Sequence, residues 1–191
     1  CMCPGGEVVV ASSQNGGVGT NGMSYRDRAS GTANSALLCD VRVSDFESEN
    51  VLAGVEFQEK YERLAFENGG GGYRAPKASW GALRDGKASA VENSLPDFAM
   101  QAFREAMPYL GRKLKGFDDD GAAVTAVETR SSSPVRFARD ENYEGSIGMQ
   151  TLCGFYPCGE GAGYAGGITS AAVDGIRVAE TIIRRFLPSD M

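Results

Sequence analysis

Pro157-Cys158-Gly159-Glu160-Gly161-Ala162-Gly163-Tyr164-Ala165-Gly166-Gly167, running into Ile168-Thr169-Ser170-Ala171-Ala172-Val173-Asp174-Gly175-Ile176, is the stretch whose reading decides the fold. Ile168, Ala172, Ile176, Ala179, Ile183 and Phe186 recur at helical spacing on one face, while Asp174, Arg177, Glu180 and Arg184 lie elsewhere. This predicts a helix over residues 168–186; at ~1.5 Å per residue it is about 28 Å long, enough to cross a sheet face. Thr151 to Tyr156 is apolar enough to be a strand, so the C-terminal region reads strand, glycine loop, helix. Glycines lack the Cβ that would hold a ligand away from the backbone, and the free N–H groups at a helix start carry partial positive charge. The segment 154–179 therefore has the chemistry to receive a phosphate. Glycines that only let a strand and a helix pack closely are the simpler alternative.

As text, Gly161-x-Gly163-x-x-Gly166 matches the dinucleotide fingerprint, and so does Gly17-x-Gly19-x-x-Gly22. The residues after Gly22 are polar and carry no helical pattern, so that copy fails its context. The later copy has a strand before it and a helix after it. A complete Rossmann unit also needs a further strand and an acidic residue about 20 positions on, and five residues after the helix leave no room for them. The expectation is half of a nucleotide site.

The chain has 191 residues, enough for one large domain or two small lobes, burying roughly 70% of its unfolded surface. Its 19 basic and 25 acidic residues give a net charge of −6, with no basic stripe of the kind that nucleic acid requires. No apolar run approaches the ~20 residues of a membrane span, and the first residues carry no signal-peptide pattern. Nucleic acid and membrane are thus not expected partners, and a cytoplasmic location is. The absence of histidine excludes Ser-His-Asp and Cys-His catalysis and His-ligated zinc from this chain acting alone. The opening Cys1-Met2-Cys3 lacks an initiator methionine and leads to the expectation of a chain cut from a larger protein. Cys1, Cys3, Cys39, Cys153 and Cys158 are odd in number and irregular in spacing, unlike a disulfide framework. Four of them would suffice for a zinc or iron–sulfur module, although neither close pair has C-x-x-C spacing. No metal ligand is assigned.

Before the decisive stretch, Val8-Val9-Val10 predicts a strand, Ser12 to Ser35 a long loop, and Ala36 to Val43 a partly buried strand. Val55, Phe57, Tyr61, Leu64 and Ala65 predict a helix ended by Gly69 to Gly72. A second helix is expected after Ser94, with Pro96 in its first turn and Pro108 kinking or ending it. Ala122 to Thr129 and Val135 to Ala138 read as strands. The acidic linker Gly116-Phe117-Asp118-Asp119-Asp120-Gly121 reads as a boundary, dividing the chain into residues 1–120 and 121–191.

Cys1-Met2-Cys3-Pro4-Gly5-Gly6, Thr20-Asn21-Gly22-Met23-Ser24-Tyr25, Asn34-Ser35-Ala36-Leu37-Leu38, Glu128-Thr129-Arg130-Ser131-Ser132-Ser133-Pro134-Val135-Arg136 and Tyr156-Pro157-Cys158-Gly159-Glu160-Gly161-Ala162-Gly163-Tyr164-Ala165-Gly166-Gly167-Ile168 together resemble the C-terminal half of a bacterial family of FAD-dependent dehydrogenases of uncharacterised substrate, within the glutathione-reductase-like flavoproteins. The resemblance implies an α+β chain belonging to an α/β flavoprotein. Residues 1–120 would be part of an inserted substrate or cap domain, and 121–191 the C-terminal segment of a Rossmann-type FAD domain whose first nucleotide-binding strand lies upstream. It implies FAD and a small-molecule substrate as partners. It further implies that Glu160 accepts hydrogen bonds from ribityl or ribose hydroxyls, where Asp is more usual, and that Gly161, Ala162, Gly163 and Gly167 present backbone to the pyrophosphate or the flavin edge. Gly159, Gly166 and Ile168 complete that turn, and Thr129 and Arg130 would lie near the flavin. Cys1 and Cys3 are candidate redox thiols. The expected function is a part of an FAD-dependent oxidoreductase, inactive alone; a non-catalytic anion-binding module and a cysteine-based metal module are the alternatives. Glu160→Ala and Gly163→Val are both expected to weaken flavin retention.

Overall fold

The valine run forms β1 (Gly6–Ala11), and its partner is the segment whose composition reads as loop: β2 (Gly19–Ser24) pairs with it antiparallel, placing Val8 opposite Gly22 and Val10 opposite Thr20. The expected long loop is thus interrupted by a strand. Its glycines hide it, because they carry no alternating side-chain signal; a Cβ at Gly22 would lie 2.6 Å from the Met2 sulfur, which would have to swing aside. Asn34 supplies the bonding a hydrophobic pattern would have advertised, accepting from the Cys3 N–H at 3.0 Å and donating to the Glu7 carbonyl at 2.9 Å. Gly19 and Gly22 sit inside β2, and no helix follows them.

The computed structural model describes residues 2–187 and divides into two compact units, Cys1–Glu47 with Glu56–Thr129, and Ser48–Val55 with Arg130–Met191. The division at Thr129 and Arg130 departs from the acidic linker at 116–121. Strand pairing explains this: β3 (Lys77–Ser79) pairs antiparallel with β4 (Ala123–Thr125), which holds the residues after the linker in the first unit. β4 is also shorter than the 122–129 expected.

α1 (Ala53–Asn68) and α3 (Asp97–Lys113) form where the periodicity places them, with the short α2 (Trp80–Arg84) between. Pro108 does not end α3, which continues to Lys113; a proline removes one donor, and the last turn still closes with Leu114 N–H donating to the Leu110 carbonyl at 2.8 Å. The strand expected over 36–43 is absent. That stretch has no neighbouring strand, and Asp45 accepts from the Arg42 N–H at 2.7 Å, turning the chain into a single 3-10 turn at Val43–Asp45. Val18, Ala65, Trp80, Leu83, Val91, Met100, Met107, Ala126 and Val127 make a continuous buried core, all within the first unit. Arg104, on α3, binds Glu92 at 2.6 Å and the Leu83 carbonyl at 3.0 Å beside it.

The second unit carries the antiparallel hairpin β5 (Gly145–Ile147) and β6 (Gln150–Leu152), then α4 (Ile168–Phe186). The strand expected over 151–156 stops at Leu152, before Gly154 takes a left-handed φ of 81°. Residues 135–138 form no strand. Every strand pair among the described residues is antiparallel and two-stranded, so the chain is α+β.

α4 has the expected bounds and an unexpected orientation. Its buried residues are Asp174 and Val178, while the apolar row lies in solvent: Ile168 is 85% exposed, Ile176 58%, Ile183 57% and Phe186 73%.

Candidate functional site

The glycine turn folds on itself through its own backbone. Gly163 N–H donates to the Glu160 carbonyl at 2.9 Å, and Tyr164 N–H to the Gly159 carbonyl at 3.0 Å. Gly163 holds φ at 84°, and a Cβ on it would lie 2.5 Å from the Val135 carbonyl oxygen. Any side chain there breaks the turn itself, so Gly163→Val tests folding before it tests a ligand. Gly161 and Gly166 are different: neither has a left-handed φ and neither Cβ would meet an atom within 4 Å. The turn's own geometry does not require glycine at those two positions, and among the described residues their amides donate to no group.

The segment 132–136 lies against the turn. Ser132, Ser133, Arg136, Gly163, Tyr164, Ala165 and Gly166 line a cavity of about 240 Å³. Arg136 donates from Nε to the Gly163 carbonyl at 2.9 Å, with its guanidinium 5.0 Å from the centre of the Tyr164 ring. The Ser133 hydroxyl lies 2.8 Å from the Val135 carbonyl oxygen and 3.4 Å from that of Gly161. A cation, hydroxyls and open glycine backbone are the chemistry that an anion requires. At 240 Å³ it is smaller than the roughly 300–1,000 Å³ that encloses a whole drug-sized ligand, so it suits one phosphate group of a larger molecule.

Two ion pairs hold the turn and hairpin to α4. Arg139 binds both Asp174 oxygens, at 2.7 and 3.0 Å, each side chain being 11% exposed. Arg139 also donates to the Pro157 carbonyl at 2.9 Å, and Asp174 accepts from the Gly159 N–H at 2.9 Å. The Tyr164 ring stacks 3.5 Å from the Arg139 guanidinium carbon, and its hydroxyl donates to the Phe137 carbonyl. These hydrogen bonds from Arg139, then from Gly159, hold the Asp174 carboxyl below its ordinary range against the opposing effect of burial. At the far end of α4, Arg185 binds Glu144 and the Tyr156 hydroxyl. The Gly154 N–H, and then Arg185, likewise lower Glu144.

Of the residues singled out from sequence, Gly159, Glu160, Gly161, Ala162 and Gly163 form the turn and Gly166 lines the cavity. Gly167 precedes α4, and Ile168, its first residue, faces solvent. Gly159 spends its N–H on Asp174. Glu160 is exposed, and among the described residues its carboxylate has no partner. Thr129 is anchored on α1, donating to Glu62 at 2.6 Å and accepting from Gln58 at 2.8 Å, and Arg130 opens the second unit. Cys3 lies in the turn before β1, and Cys1 lies outside the described residues. Burial, with Asp40 and Asp45 nearby, pushes the Cys39 thiol up. Among the described residues no cluster of three or more Cys, Asp or Glu stands where it could hold a metal ion, and no helix is long and apolar enough to cross a membrane. Sequence reasoning missed Ser133, Arg136, Arg139 and Asp174. Ser133 and Arg136 stood in a quoted motif without a role, and nothing in the pattern joins positions 139 and 174.

A protein of Clostridium beijerinckii described as an uncharacterized protein is 44% identical over 203 residues, covering 97% of this chain. The chain spans 37% of that relative's length. The model of the family described as FAD-dependent protein, C-terminal domain-like matches residues 1–131, ending within two residues of the boundary between the units at Thr129. The glycine turn lies beyond that match and inside the span shared with the relative. By the family match over its larger part, this chain belongs to the FAD-dependent protein, C-terminal domain-like family.

Proposed function

We propose that this chain is a working part of an FAD-dependent oxidoreductase, in which the turn at 159–167 and Arg136 receive a phosphate of the cofactor. The observation that carries the reading is the contrast within the turn: Gly163 is demanded by its own packing, whereas Gly161 and Gly166 are open, their amides donating to no group among the described residues and lying beside a guanidinium and hydroxyls. Glycine left open by the protein is what close approach of a ligand to the backbone requires.

The residues fit part of FAD. Arg136 would offer its remaining N–H groups to a phosphate oxygen, Gly161 and Gly166 their amides, and Glu160, exposed and without a partner among the described residues, would accept from a ribityl or ribose hydroxyl. Bound flavin supplies the redox chemistry, and the protein supplies orientation and electrostatics. The first unit, with its apolar core, would contribute to the substrate side. The remainder of the cofactor site would come from polypeptide outside these residues, consistent with a relative of which the chain spans 37%.

The test uses the intact flavoprotein. It should purify yellow, absorbing near ~450 nm as bound flavin does. Gly161→Val, Gly166→Val and Arg136→Ala should lose flavin while keeping native circular dichroism. Full flavin occupancy in all three would sink the proposed site. A colourless protein that binds inorganic phosphate or nucleotides through the same residues would instead establish the anion-binding alternative.

A further inference from the structure

We propose that Arg139 and Asp174 form an internal brace that sets the shape of the glycine turn for its ligand, making both of them positioning residues; the inference rests on the flavin reading above. Neither side chain lines the cavity. Each instead holds the turn at its margins. Arg139 grips the Pro157 carbonyl before the turn and stacks on Tyr164 within it, while Asp174 takes the Gly159 N–H at its first glycine. Gly161 lies between these anchors and Gly166 two residues beyond Tyr164, and among the described residues neither amide donates to any group.

A turn this rich in glycine loses much backbone freedom when it is ordered. Were it loose, the ligand would have to supply that ordering, and affinity would fall accordingly. The planar guanidinium is suited to the brace: it fixes orientation as well as distance, spanning Asp174 bidentately while reaching Pro157 with the same Nη1. Lysine reproduces the charge without the fork. The pair also explains why a carboxylate occupies the inward side of α4, where the helix has few other buried contacts.

The experiment compares Asp174→Asn, Arg139→Lys and the double variant with Gly161→Val in the intact flavoprotein. FAD titration, the visible circular dichroism of bound flavin and far-ultraviolet circular dichroism are the readouts. The brace variants should keep the far-ultraviolet spectrum, change the visible one, and bind FAD about 10- to 100-fold more weakly, the range typical when partners that orient a ligand's holders are removed from metal sites. The double variant should be no worse than the weaker single one, because both remove one device. Wild-type affinity and visible spectrum in the folded brace variants, with FAD lost in Gly161→Val, would overturn the brace and leave the flavin reading standing. FAD retained in Gly161→Val as well would remove that reading. Should Asp174→Asn fail to fold, Arg139→Lys decides alone, and wild-type FAD affinity there overturns the proposal.

Discussion

The two units are held together by different chemistry. The first encloses a continuous apolar core around Trp80, Leu83, Val91, Met100 and Met107. In the second, between Arg130 and Leu187, the buried apolar side chains are Pro157, Ala162 and Val178, and hydrogen-bonded ion pairs tie its elements together. Apolar packing is strong and nearly blind to direction, and sets an element's place more firmly than its detail. Charged hydrogen bonds are directional and respond to pH. The difference assigns shape-setting at the glycine turn to ion pairs and bulk stability to the first unit.

Substitutions should break this comparison unequally. Trp80→Ala empties the core of a side chain that is 3% exposed, and should destabilise the first unit by about 3–5 kcal/mol, read in urea by tyrosine fluorescence and circular dichroism. Arg139→Met should cost about 2 kcal/mol in the second unit, by removing the bidentate partner of the Asp174 carboxylate and the donor to the Pro157 carbonyl. Its signature is faster amide exchange over residues 157–164 with the Trp80 emission unchanged; equal loosening of both units would contradict the division.

Acid sharpens the comparison. Asp174 and Glu144 have lowered folded-state values, so their stabilisation is complete above the ordinary carboxylate range and is lost as pH falls through those lowered values. Glu128, in the first unit, is raised chiefly by burial, so protonating it favours the folded state as pH falls. Lowering the pH should therefore release the glycine turn while Trp80 emission holds steady. Simultaneous loss would show that the ion pairs do not set the order of unfolding. The smallest effect belongs to Lys60 and Glu47, an exposed pair in the first unit: Glu47→Gln should change stability by about 0.5 kcal/mol or less.

What the sequence disclosed follows the same division. α1, α3 and α4 were legible because a helix writes its apolar face at a regular period. β2 was not, because a strand of Gly, Asn, Thr and Ser is specified by its pairing with β1 and by Asn34, neither of which leaves a local signal. Residues 36–43 carried a strand's composition and found no partner. At the site, the glycine turn was visible as text, but which glycines serve the turn and which remain open depended on the backbone of Val135 and Arg136. The Arg139–Asp174 pair joins positions 35 residues apart and leaves no trace in spacing.

The bare row on α4 gives the chain a concentration scale of its own. Ile168, Ile176, Ile183 and Phe186 face water beside Gly175, where a Cβ would meet nothing within 4 Å. Contiguous apolar surface of this kind is covered by whatever is present at sufficient concentration, and in a solution of the isolated chain that is another copy. Light scattering should accordingly rise with protein concentration and fall in Ile176→Ser, a surface change worth no more than about 0.5 kcal/mol to folding.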